Sequence, residues 1–156
     1  MEPTSLTVTI TQELIDEGCH MSDNCPMAKA FLKSFLEWAE LPTDKEYPPS
    51  VRSANDRITV ASWGVGVGTT TLHMYVHDYT LTSEATSFEF HHSKITDYWV
   101  ERYDKLQDDH VLGTRVGPIS FEVPITDDLR KTRDAFRKYY ALSSYAQDND
   151  ASTPND

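Results

Sequence analysis

Both cysteines of the chain and one of its six histidines fall within the stretch DEGCHMSDNCPMAKAF, residues 16–31. Cys25 directly precedes Pro26, and a proline in this setting is typical of the first residue of a helix. A thiolate just before a helix is stabilised by unpaired backbone N–H groups and by the helix dipole, which is the setting of a nucleophile. Catalysis would also need a base, and the local candidate is His20. The alternative is that Cys25 is a small buried residue that seals the loop onto the helix, which is the commoner role and the one that we favour.

The same stretch offers three soft metal ligands, Cys19, His20 and Cys25. Structural zinc sites usually place two to four residues between paired ligands and add a second pair further along the chain. Five residues separate the two cysteines here, and the chain contains no third cysteine. We therefore predict no metal and no other cofactor, with a zinc site as the alternative. A disulfide between the two cysteines would close only a small loop and is disfavoured in a reducing compartment.

The net charge of −11 over 156 residues restricts the partners that the chain can bind. Nucleic-acid binding depends on basic side chains that neutralise phosphates, so direct binding to DNA or RNA is disfavoured. An acidic surface suits solubility, a basic partner or mimicry of nucleic acid. Residues 111–145 are the exception, with six bases and four acids. Most of these bases form a cluster that predicts ion pairs within a helix or between subunits, with an acidic partner or a phosphate as the alternative: Arg130, Lys131, Arg133, Arg137 and Lys138.

The N-terminal sequence MEPTSLTVTI has neither the basic start nor the apolar centre of a secretory signal. The apolar runs of the chain are far shorter than the roughly 20 residues of a membrane helix. We therefore expect a cytoplasmic protein that has reduced thiols and no membrane association.

The pattern of apolar residues predicts the element order β-α-α-β-β-β-α-β-α. Consecutive middle strands are joined by short turns, including a glycine-rich hairpin at 66–69, so the sheet should be mainly antiparallel. We predict a single α+β domain over residues 1–145, with one sheet of four to five strands and three main helices. The stretch 43–56 is predicted to be a polar loop, and residues 146–156 to be a disordered acidic tail.

Local signals predict where the helices begin. Pro26 starts a helix over 26–41, which carries a wide apolar stripe. Thr11, Ser93 and Thr126 are predicted N-caps, because a side-chain hydroxyl can accept a hydrogen bond from the first turn. The helix over 93–106 should bury the apolar residues that recur at helical spacing: Ile95, Tyr98, Trp99, Tyr103 and Leu106.

Three tyrosines are candidate contact residues. Tyr75 and Tyr79 alternate along one face of a predicted strand, and Tyr98 lies on a predicted helix. Tyrosine contributes strongly to protein interfaces, so these side chains are the predicted binding residues. Ordinary half-buried packing is the alternative for each of them.

Two blocks of the chain resemble small hypothetical proteins found in phage and prophage genomes. The first is VTITQELIDEGCHMSDNCPMAKAF, which is similar to an opening strand, then T-Q-E-x-I-D-x-G, then C-P-x-A-x-A. The second joins ITDYWVERYD to VGPISFEVPI, where Ile119 stands in place of an expected phenylalanine. The matching residues are Thr11, Gln12, Glu13, Ile15, Asp16, Gly18, Cys25, Pro26, Ala28, Ala30, Tyr103, Asp104, Pro118 and Phe121. The resemblance implies a phage setting, and hence the host cell cytoplasm, but no particular chemistry.

These observations lead to three hypotheses of function. The first is a small non-enzymatic accessory protein of phage type that binds and blocks a host or defence protein. The second is an acidic DNA mimic that inhibits a DNA-binding enzyme. The third is a cysteine-dependent hydrolase or transferase that uses Cys25 and His20. We expect a protein partner, and the sequence is also compatible with a homo-oligomer.

Overall fold

A computed structural model of the protein describes residues 2–17, 25–53, 58–80, 84–109 and 116–152. The described residues combine four helices with six strands, which confirms the predicted α+β class. In chain order the elements are β1 (Ser5–Ile10), α1 (Gln12–Glu17), α2 (Pro26–Trp38), β2 (Ser50–Arg52), β3 (Thr59–Val67), β4 (Thr71–Asp78), β5 (Thr86–His91), α3 (Lys94–Asp109), β6 (Ile119–Pro124) and α4 (Asp127–Ser152). The last helix therefore continues beyond residue 145, where the sequence predicts the end of the folded domain.

The six described strands form two antiparallel sheets, whereas the sequence predicts one sheet of four to five strands. β1 pairs with β6, and β2, β3, β4 and β5 form a four-stranded meander. The unexpected strand is β2, which lies inside the predicted polar loop 43–56. Its central residue, Val51, is buried and pairs with Ala61 of β3. A single buried apolar residue is too short a pattern for a strand to be predicted from sequence.

The predicted hairpin is formed by β3 and β4. The backbone N–H of Gly68 donates to the carbonyl of Thr71 at 2.8 Å, which closes the turn between them. Leu72, Met74 and Val76 share one face of β4 and are buried, as the alternation of the strand predicts. The four-stranded sheet therefore has one apolar face, which packs on the core.

The three predicted hydroxyl caps are present. The N–H of Leu14 donates to Oγ1 of Thr11 at 3.2 Å, and the N–H of Thr96 donates to Oγ of Ser93 at 3.3 Å. The equivalent bond in α4 joins the N–H of Leu129 to Oγ1 of Thr126, also at 3.2 Å. Each cap supplies an acceptor for a backbone N–H that has no partner within its helix.

α2 begins at Pro26, as predicted, but ends at Trp38, before the predicted end at 41. The chain turns at Glu40, whose φ of 61° is in the left-handed region. The N–H of Leu41 then donates back to the carbonyl of Leu36 at 2.9 Å. This bond is the six-to-one contact of a Schellman motif, which usually has glycine at the left-handed position.

α4 packs on the apolar face of the four-stranded sheet. At the centre of this contact lies Phe136, which is fully buried. Its ring contacts those of Phe35, Tyr47 and Trp63, with centroids 5.2 to 5.8 Å apart. One aromatic cluster therefore joins α2, α4 and β3.

The basic cluster of α4 makes contacts within the chain. Arg130 forms an ion pair with Asp127 at 3.0 Å, which is a pair within the helix, and both Arg130 and Arg133 contact Glu2. Nε of Arg137 donates to the carbonyl of Ala39 at 3.0 Å, at the C-terminal end of α2. The predicted ion pairing within the helix is confirmed, and these arginines also fix the N-terminus and α2 against α4.

Among the described helices, none combines the length and the apolar character that crossing a membrane requires.

Candidate functional site

α3 buries only part of the apolar face that the sequence predicts. Trp99 and Tyr103 are buried, together with Thr96 and Val100. These positions recur at helical spacing and form the face that packs on the protein. Ile95 and Tyr98, in contrast, are each 61% exposed. The predicted apolar face is therefore divided between a buried part and an uncovered part.

The uncovered part of α3 forms one wall of an open groove of about 490 Å³, and residues 116–119 form the other. Trp99 connects the walls, because its indole N–H donates to the carbonyl of Gly117 at 3.0 Å. The apolar lining residues are Ile95, Tyr98, Trp99, Val116, Pro118 and Ile119. An exposed apolar concavity of this kind is the usual form of a binding surface.

Two cations stand beside the apolar lining of the groove. Lys94, Tyr98 and Arg102 follow one another at intervals of four residues, so they lie on one side of α3. The guanidinium carbon of Arg102 is 5.4 Å from the centre of the Tyr98 ring, within the range of a cation–π contact. The described residues that line the groove include these two cations and no acid. The groove is thus a basic and apolar surface on a chain whose net charge is −11.

Tyr75, the first predicted contact residue, packs on its own sheet. It is paired with Gly64 across β3 and β4. A Cβ added at Gly64 would lie 2.6 Å from Cε1 of Tyr75, so the ring occupies the space that a side chain would need. Covering a strand glycine with a cross-strand aromatic ring is a recognised way to stabilise a sheet. Tyr75 therefore packs on its own sheet and still exposes part of its ring.

Tyr79 also contacts its own sheet. Its ring centroid is 3.8 Å from that of His77, and its hydroxyl shares a hydrogen bond of 3.2 Å with Oγ of Ser62. About half of the side chain is exposed. Tyr75 and Tyr79 therefore belong to the face of the four-stranded sheet, whereas Tyr98 belongs to the α3 groove.

Cys25 is the N-cap residue of α2 and is only 5% exposed. A buried thiol of this kind is less reactive than an accessible thiolate. Its proposed partners, Cys19 and His20, lie outside the described residues. Within the described part of the chain, no group of three or more histidine, cysteine or acidic side chains is arranged to hold a metal ion.

A smaller cavity, of about 240 Å³, lies between α4 and the ends of β4 and β5. Its charged lining is mixed, with Lys131 and Lys138 beside Asp134 and Asp78. The charged residues among the described lining of the larger groove are of one sign, Lys94 and Arg102.

Among the exposed residues of the groove, only Tyr98 was predicted from the sequence to be a contact residue. Ile95 was expected in the buried face of the helix, and no role was predicted for Lys94, Arg102 or Gly117. The spacing of Lys94, Tyr98 and Arg102 was the available signal, but the second wall of the groove comes from a different part of the chain.

No protein family, curated protein or solved structure matches the chain in the comparisons made. The fold and the site define an α+β protein with an uncovered apolar and cationic groove.

Proposed function

We propose that the protein is a small non-enzymatic accessory protein that acts by binding another protein through the α3 groove. One observation carries this proposal: Ile95 and Tyr98 are both 61% exposed beside an open apolar concavity. Burying such side chains against a partner is favourable because it removes apolar surface from water. The adjacent cation–π pair of Tyr98 and Arg102 adds the residue types that dominate interface energetics.

The biological setting is a further part of the proposal. The resemblance to phage and prophage proteins supports a phage accessory role in the host cell cytoplasm, with a host or defence protein as the target. This support is limited to the two sequence blocks described above. Tyr75 and Tyr79 remain predicted contact residues on a second surface, the outer face of the four-stranded sheet.

The proposal is tested by affinity purification of the tagged protein from host cells, followed by native mass spectrometry. We expect one host protein to be captured at a fixed stoichiometry. Ile95→Ser and Tyr98→Ser should abolish this capture. Ile58→Ser is the matched control, since Ile58 is 71% exposed and does not line the groove.

Three results would contradict the proposal: no captured protein, capture that both groove variants retain, or equal loss in the Ile58→Ser control. The same spectra report the number of subunits and any bound metal. If duplex DNA displaces the captured protein, the DNA-mimic hypothesis is favoured instead. The cysteine-enzyme hypothesis predicts that Cys25→Ala loses the biological effect while it still captures the partner.

A further inference from the structure

β5 lies at one edge of the four-stranded sheet, and no other described strand pairs with its outer side. We propose that this edge pairs with β5 of a second copy of the chain, in antiparallel orientation about a two-fold axis at Phe90. The inference goes beyond the proposed function, because it concerns a different surface and a different partner. Three features support it: the direction of the free backbone groups, the protection of the other strand edges and the side chains that self-pairing places opposite each other.

The free backbone groups of β5 belong to its odd-numbered residues. The N–H of His92 donates to the carbonyl of Thr70 at 3.1 Å, so these opposed residues form a hydrogen-bonded pair. Hydrogen-bonded and non-hydrogen-bonded pairs alternate along an antiparallel ladder. The even-numbered residues of β5 therefore bond to β4, whereas the odd-numbered residues direct their N–H and C=O groups away from it. These residues are Ser87, Glu89 and His91, and no described residue supplies a backbone partner to them.

The other described strand edges each carry a feature that hinders pairing with another chain. β2 is only three residues long, and its register with β3 shifts between Val51 and Arg52. On β1, the carbonyl of Thr7 accepts a hydrogen bond of 2.9 Å from Oγ of Ser34 in α2. β6 ends at Pro124, which has no N–H to donate. Short strands, bulges and edge prolines are common means of preventing edge pairing. β5 has none of these, since its six residues contain no proline and keep an unbroken register with β4.

Self-pairing about Phe90 places complementary side chains opposite each other. In this register Glu89 of each copy lies opposite His91 of the other, and both side chains are exposed. Within its own sheet Glu89 is opposite His73, so its carboxylate would lie between two imidazoles. Opposed polar pairs of unlike charge stabilise an antiparallel sheet, whereas like charges destabilise it. An axis at Glu89 would set the two glutamates against each other, so the axis at Phe90 is favoured.

The size and charge of the contact determine how strong the dimer is. Pairing of two six-residue strands is a small contact, and interfaces below about 1,200 Å² are typical of transient complexes. The net charge of −11 also repels a second copy at low ionic strength. We therefore expect a weak, reversible dimer, which is best measured at about 0.15 M salt, where charges are screened beyond about 8 Å.

The experiment is analytical ultracentrifugation of the full chain at micromolar to millimolar concentrations. We expect a monomer–dimer equilibrium that depends on concentration. Glu89→Pro should raise the dissociation constant by at least about tenfold, because symmetry removes two N–H donors from the contact. The ladder with β4 should be retained, since the N–H of Glu89 points away from it. Glu89→Gln is the matched control, which keeps the N–H and should weaken the dimer less than Glu89→Pro does.

Exchange of two side chains tests the register. His91→Glu alone sets glutamate opposite glutamate and should weaken the dimer. Adding Glu89→His to that variant exchanges the two side chains and should restore the dimer toward the affinity of the parent chain. Hydrogen exchange provides the location, because the amides of Glu89 and His91 should exchange more slowly in the dimer than in the monomer.

The proposal is overturned if the chain stays monomeric at millimolar concentration, or if a dimer forms that Glu89→Pro leaves unchanged. It is also overturned if Ile58→Ser dissociates the dimer, since Ile58 is 71% exposed, precedes β3 and lies outside β5. Circular dichroism shows whether each variant is folded. If Glu89→Pro does not fold, the exchange series decides, and a dimer that His91→Glu leaves unchanged overturns the proposal.

Discussion

α3 and α4 are both amphipathic helices that begin at a capping hydroxyl. The rest of the protein covers the apolar face of α4 more completely than that of α3. α4 buries Leu129, Phe136 and Tyr139 against the four-stranded sheet. Its arginines contact acids and a carbonyl of the same chain. α3 buries one face but leaves Ile95 and Tyr98 uncovered beside two cations. The same kind of sequence pattern thus serves stability in one helix and leaves an uncovered apolar surface in the other.

The largest expected difference between the two helices is the loss of stability when an apolar side chain is truncated to alanine. Phe136→Ala should lower the free energy of unfolding by about 3–5 kcal/mol, because a fully buried ring is replaced by a cavity. Ile95→Ala on α3 should change it by less than about 0.5 kcal/mol, since that side chain is mostly exposed. Denaturant unfolding of both variants measures the difference. Equal losses would show that the two helices are covered alike.

Loss of the hydrogen bond between Trp99 of α3 and Gly117 should have an intermediate effect on the free energy of unfolding. Trp99→Phe removes the indole hydrogen bond to Gly117 and reduces the stack on Tyr103, whose ring centroid is 5.0 Å away. We expect a loss of about 1–2 kcal/mol in the free energy of unfolding, from the unsatisfied carbonyl and the lost packing. Tyr98→Phe is the control on the same helix and should be close to neutral. If Trp99→Phe were neutral as well, the indole bond would not hold the groove walls together.

A smaller change in the free energy of unfolding, an increase instead of a loss, is expected at the end of α2, where that helix contacts α4. Glu40 adopts a left-handed φ of 61° at the end of α2, next to the carbonyl that Arg137 binds. Glu40→Gly should raise the free energy of unfolding by about 0.5–1 kcal/mol, because glycine adopts this conformation without steric cost. Glu37→Gly, within α2, should instead lower it by about 1 kcal/mol. Thermal or denaturant unfolding would contradict this account if both substitutions acted in the same direction.

A pH dependence is also expected, and it is confined to alkaline solution. Burial raises the pKa of Tyr47 from its ordinary value of 10 to about 12, with smaller contributions from Tyr140 and Asp44. Burial also raises the pKa of Tyr139. The folded state favours the neutral phenols, so the contribution of Tyr47 to stability is complete below pH 10 and is lost as pH rises toward about 12. Tyr47→Phe should make the decline of stability in this window shallower, and an unchanged slope would show that Tyr47 is not responsible.

The starts of the helices were predictable because their causes are local. A capping hydroxyl such as that of Ser93 or Thr126 acts on the next turn of its own helix, so the signal lies within a few residues of sequence. The pairing of the sheets was not predictable in this way. β1 finds its partner in β6, near the other end of the chain, and β2 depends on the burial of one valine.

The candidate site was predicted only in part, for the same reason. The period of α3 identified its apolar residues but not which of them would be covered. Coverage depends on where the segment 116–119 comes to lie, and this is decided by tertiary packing. Similarly, the alternation of β4 indicated that Tyr75 and Tyr79 share a face, but it did not show that Tyr75 would pack over Gly64.

The pairing of β1 with β6 has a consequence for synthesis in the cell. The strands of the β2–β5 meander are neighbours in sequence, so they can assemble while the ribosome is still translating the chain. β1 emerges first, and its backbone hydrogen-bonding edge has no strand partner until β6 is made. Exposed apolar strand edges of nascent chains are prone to aggregate and are typical chaperone substrates. The interval between translation of Ile10 and translation of Ile119 is therefore the period in which the nascent chain most needs protection.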